Sequence, residues 1–77
     1  MAKGFQDERY RRLIGKLVEQ RKACGWSQRE LAVKLGQHQQ FVSRYEIGER
    51  RLDVVEFADI CHILGLDSAS MVAEAVG

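Results

Sequence analysis

In 77 residues the chain carries 12 lysines and arginines against 11 acids, 45% apolar residues, two cysteines and no proline. That length buries only about 60% of the unfolded surface, which allows one core with a site on its outside and excludes a large enzyme built around an enclosed cavity. The net charge of +1 hides two unlike halves: residues 1–51 hold all 12 Lys and Arg with six acids, and residues 52–77 hold five acids and no Lys or Arg, a polarity that suggests one face for a polyanion and one turned away from it.

Apolar residues recurring at three and four predict an all-α fold, a bundle of about five short helices separated by glycine. One domain over 1–77 is expected, with its core at about 7–66. The first helix runs from Asp7 to Ala23, with Tyr10, Leu13, Leu17 and Ile14 on its apolar stripe and Gly25 as its stop. Arg9, Arg12 and Lys16 make the other face basic. The second helix opens on Ser27-Gln28-Arg29-Glu30, in which the Ser27 hydroxyl and the Glu30 carboxylate can each accept from the other residue's amide. Trp26 and Leu31 flank that capping box at the spacing of a hydrophobic staple, which makes Trp26 structural. Leu31, Ala32 and Leu35 face inward, and Gly36 ends the helix. The third helix, His38 to Ile47, follows so soon that the two must cross steeply over a small residue, Ala32. Val42 and Tyr45 supply its inward side, and Gly48 stops it. The fourth helix opens with Asp53-x-x-Glu56 and ends at Leu64-Gly65. An arc of about 120° collects Val54, Phe57, Ala58, Cys61 and Leu64 as its core stripe and leaves Ile60 and Ile63 outside. A fifth, short helix at about 68–75, capped by Asp67 or Ser68, covers Met71 to Ala75 and frays at its end.

With Gln39 at 0° on the third helix, Ser43 falls at about 40°, Gln40 at about 100° and Arg44 at about 140°, while Tyr45 and Val42 fall at about 240° and 300°. One side is therefore polar and long-armed. Glutamine pairs bidentately with adenine and arginine with guanine in the major groove. The window QRELAVKLGQHQQFVSRYEI, from Gln28 to Ile47, has Leu31, Ala32, Leu35, Gly36, Val42 and Tyr45 at the spacing of a helix-turn-helix over 27–47. It resembles the phage-repressor-like transcription regulators of the Cro/C1 or XRE family. The likeness extends through Arg21, Trp26-Ser27-Gln28, Glu46-x-Gly48 and Ile63-Leu64-Gly65, about residues 13 to 68.

The resemblance implies a sequence-specific, double-stranded DNA-binding regulator, a repressor, whose third helix reads the major groove with Gln39, Gln40, Ser43 and Arg44. It also implies Gln28 as a phosphate contact. Arg50, Arg51, Arg12 and Lys16 are further phosphate candidates, which position without carrying sequence information. Arg21 and Glu46 occupy the places of a partly buried ion pair between the first and third helices. Three departures stand out: Gln37 replaces a usually apolar residue, His38 a Ser or Thr cap, and Leu52 a common proline. Phe41, at about 200°, either touches a thymine methyl or covers the core edge, and the core edge is preferred.

A homodimer on a two-fold operator is expected, with the acidic C-terminal part as interface and Ile60, Ile63, Met71 and Val72 as its candidates. The alternative is a protein-interaction module or antitoxin-like partner that keeps this shape without reading DNA. Catalysis is not expected, because His38, His62, Cys24 and Cys61 form no triad or metal-ligand spacing. The two cysteines read as small core residues, with no disulfide, metal, cofactor or small-molecule substrate. No run approaches the roughly 18 apolar residues that span a bilayer. MAKGFQDERY has no apolar h-region, so a cytoplasmic protein of bacterial or phage type, without a membrane partner, is expected.

Overall fold

Capping decides where this chain turns helical. The computed structural model describes residues 7–77, and its elements are α1 (Glu8–Ala23), α2 (Gln28–Leu35), α3 (Gln39–Ile47), α4 (Val54–Leu64) and α5 (Ser68–Val76). Asp7, Ser27, Asp53 and Asp67 each accept from an amide in the turn they open. Ser27–Glu30 and Asp53–Glu56 both close as reciprocal capping boxes. His38 caps α3 without a side-chain hydrogen bond among the described residues. The expectation that no leader precedes the domain falls largely on residues 1–6, outside the described residues.

Between α2 and α3 the chain reverses over residues 36–38, with Gly36 at φ 69°. A β-carbon would strain that left-handed conformation. The Gln37 amide donates to the Ala32 carbonyl at 2.9 Å, and Ala32, 1% exposed, lets the helices pass closely. α3 is held from behind by α1 and α2, while α1 also packs on α4 and α5. Leu17, Leu31, Val42, Tyr45 and Ile60 are fully buried where these helices meet. Trp26 packs on this core as a partly buried residue, with the Lys34 ammonium 4.4 Å from its ring centroid, in keeping with a staple.

Two expectations from the sequence are corrected by the packing. The buried residues of α4 are Phe57, Ile60, Cys61 and Leu64, while Val54 is 78% exposed and Ala58 is also exposed. The stripe is rotated toward Ile60 because α4 must pack on α1, α2 and α5 together; Val54, in the first turn, overhangs the edge. For the same reason Ile60 and Met71, expected at an interface between copies, are core, with the Cys61 and Met71 sulfurs 3.9 Å apart. Ile63 packs against the core from a half-buried position, and of the four candidates Val72 alone is exposed.

Candidate nucleic-acid interface

α3 has two unlike sides. Val42 and Tyr45 are buried, whereas Gln39, Gln40 and Arg44 are exposed on the other side. Ser43 is half-buried, and its hydroxyl donates to the Gln40 carbonyl at 3.4 Å. Three of the four expected readers thus stand in solvent, and the fourth leans on its own helix.

The helix is held at its far end by one carboxylate. Glu46 accepts from Arg21 Nε at 2.7 Å, from Arg21 Nη2 at 3.0 Å and from Gln28 Nε2 at 2.8 Å. Arg21 Nη1 adds a bond to the Trp26 carbonyl at 2.8 Å. Glu46 therefore joins α1, α2 and α3, and the Arg21 and Glu46 side chains are only 10% and 5% exposed. The hydrogen bonds to Glu46 hold the Arg21 guanidinium above its ordinary pKa, against the opposing effect of burial. Gln28 is the residue expected on a phosphate; one amide hydrogen serves Glu46, and its Nε2 carries a second.

At the near end, Phe41 packs on the core edge with its ring centroid 5.6 Å from that of Tyr45, edge to face. The Arg50 guanidinium lies 4.8 Å over the Phe41 ring. Arg50 also forks Glu56 through Nη1–Oε1 at 2.9 Å and Nη2–Oε2 at 2.8 Å. That fork, with the Asp53 amide on the same carboxylate at 3.0 Å, holds the Glu56 carboxyl below the usual range and raises Arg50.

The remaining cations divide by side. Arg51 is exposed, its guanidinium 4.6 Å over the Tyr10 ring, in the turn that follows α3. Lys16 points to α5, where its ammonium meets Glu74 at 3.0 Å. Arg12 is exposed on α1, and so is Arg11. Arg11 was not among the expected contacts, yet it borders a small hollow with Glu46 and Gly48 at the end of α3. Helical spacing from Arg21 through Val18 and Ile14 puts Arg11 on the stripe that meets α3, a signal available in the sequence. Among the described residues no group of His, Cys, Asp or Glu is arranged to hold a metal, and no helix is long and apolar enough to cross a membrane.

The family model described as helix-turn-helix matches residues 17–77. The chain belongs to the XRE-type helix-turn-helix family. A solved XRE-family-like protein from Pseudomonas syringae pv. tomato str. DC3000 is 46% identical, with a TM-score of 0.82 over 88% of this chain and 83% of that one. No curated protein is significantly similar. The XRE-type fold is that of a DNA-binding transcription regulator, a non-enzymatic kind. At Leu52, where the resemblance implies a proline, the amide donates to the Tyr10 hydroxyl at 3.0 Å, a bond proline lacks the hydrogen to make. Gln37, at the usually apolar position, is exposed on the rim of a hollow bordered by Phe41 and Ile60.

Proposed function

We propose that this XRE-type chain is a transcriptional repressor that binds double-stranded DNA as a homodimer and reads the major groove with α3. The exposure of Gln39, Gln40 and Arg44 opposite buried Val42 and Tyr45 carries the reading. Gln and Arg edges match adenine and guanine, each good pair contributing about 1–3 kcal/mol of discrimination. Ser43 assists where its hydroxyl turns from the Gln40 carbonyl. Gln28, Arg51, Arg11 and Arg12 approach phosphates; Lys16, on the α5 side, contributes little.

The second copy packs on the apolar surface of α1, α4 and α5, which borders Arg51 at Tyr10. There a hollow of about 220 Å³ is lined by Tyr10, Leu13, Leu52, Val54, Phe57 and Val72, and it supports Val72 as the remaining interface candidate. Such a protein works in the cytoplasm, on the DNA of a bacterium or phage.

Selection from random duplexes followed by salt titration tests the reading. An inverted repeat is expected, with affinity falling steeply with salt and base preference changed in Gln39→Ala and Arg44→Ala. Failure to enrich any sequence would favour a helix-turn-helix used for protein interaction.

A further inference from the structure

Four features converge on the first turn of α3. Its cap, His38, makes no side-chain hydrogen bond among the described residues. Its third residue, Phe41, is instead held between the Tyr45 ring and the Arg50 guanidinium. Arg50 is fixed by both oxygens of Glu56. Glu56 is itself fixed as the closing residue of the α4 capping box. A fork with both carboxylate oxygens sets a guanidinium plane more firmly than a single hydrogen bond can.

We propose that the Glu56–Arg50–Phe41 stack takes the place of the missing cap, so that Arg50 is a positioning residue that locks the first turn of the reading helix to α4. The stack orients Gln39 and Gln40 without itself touching DNA. A phosphate contact would require Arg50 to release Glu56, whereas an arginine that acts through Phe41 keeps its fork in the complex. The consequence for recognition rests on the DNA-binding reading; the consequence for the helix itself does not.

The test therefore has an arm without DNA. Glu56→Gln is the informative variant, because glutamine still closes the capping box through its carbonyl but cannot accept a guanidinium fork. In the free protein, Arg50→Ala and Glu56→Gln are each expected to speed hydrogen exchange at the Phe41 amide, now bonded to the His38 carbonyl at 3.0 Å. The increase should be about tenfold, as expected for removing one partly exposed charge pair together with one cation–π interaction. Exchange at the Glu30 amide, in the exposed first turn of α2, should stay unchanged because it opens locally, and adding His38→Ser to either variant should restore the Phe41 protection. Unchanged Phe41 exchange overturns the proposal whatever the DNA result, and so does an equal rise at the Glu30 amide.

On a selected operator, both variants should bind more weakly and discriminate less at the base pairs read by Gln39 and Gln40, with the salt slope unchanged. A slope lower by about one in Arg50→Ala, or tighter binding in Glu56→Gln, would instead make Arg50 a phosphate contact and overturn the proposal. If the wild type binds no DNA while the exchange pattern holds, the positioning role stands and only the functional reading fails.

Discussion

Tyr45 brings a hydroxyl into the core. The side chain is fully buried, and its oxygen has no hydrogen-bond partner among the described residues. Burial pushes its pKa above the ordinary tyrosine range. An unsatisfied buried hydroxyl costs about 1–3 kcal/mol, so Tyr45→Phe is expected to raise the urea midpoint, the T-shaped packing on Phe41 being kept; a lowered midpoint would reveal a partner for the oxygen. His38 is the complementary case at the surface, a cap position filled by a residue that makes no capping bond. His38→Ser should add about 1 kcal/mol, an increase of about 4–8 °C in Tm for a domain of this size. Calorimetry that finds no gain would mean that the first turn of α3 is already satisfied. Both positions were legible in unequal measure: the weak cap follows from residue type alone, whereas the orphan hydroxyl depends on which groups the packed helices leave around one oxygen.

Among the elements, α1 and α3 are coupled through Arg21 and Glu46, and breaking one partner of so buried a pair costs about 3–5 kcal/mol. Arg21→Ala should therefore lower Tm well below that of Arg29→Ala, whose side chain is exposed; equal melting temperatures would sink the coupling. At the junction of the 48–53 connection with α4, Glu56 has its carboxyl lowered by the Arg50 fork first and by the Asp53 amide second. A carboxyl lowered on folding contributes stability above its unfolded pKa and loses it as pH falls through the folded value. Glu56→Gln should thus be less stable than wild type at neutral pH and should converge on it as pH falls below the ordinary carboxylate range, as read from urea midpoints. Asp7 is lowered first by the Arg9 guanidinium, Glu30 by the Ser27 amide and Asp67 by the Ser70 hydroxyl, and these leave an acid limb in the variant. The helices themselves were readable because Ser27–Glu30, Asp53–Glu56 and Gly36 act locally, within one turn of chain. The rotation of α4 was not, because the choice between Val54 and Ile60 as core depends on helices α1, α2 and α5 arriving from elsewhere. The Arg50–Glu56 fork was hidden for a similar reason: two charges six apart across a turn can as well point to solvent.

At the scale of the molecule, the split of charge along the sequence does not carry over directly into space, since Arg50 pairs with Glu56 and Lys16 with Glu74. Lys16 belongs to the basic half by sequence and to the acidic side in space, where it meets Glu74, both side chains being well exposed at 48% and 69%. Arg51 is the last basic residue before the acidic stretch, yet it stands beside the connection leaving α3. Position along the chain therefore misassigns Lys16, and helix packing decides which cations can reach a polyanion laid along α3. Counterion release turns that distinction into a measurement, since removing a cation that neutralises one phosphate lowers the magnitude of the salt slope by about one. Arg51→Ala should weaken binding to every duplex alike and reduce the slope by about one, leaving base preference intact. Lys16→Ala should leave the slope where it was, and at neutral pH an exposed pair of this kind supplies at most about 1 kcal/mol of stability. If instead the two variants lower the slope equally, the polyanion reaches past Arg11 and Arg12 to the α5 side of α1, and the face assigned to a second copy would have to lie farther toward α5.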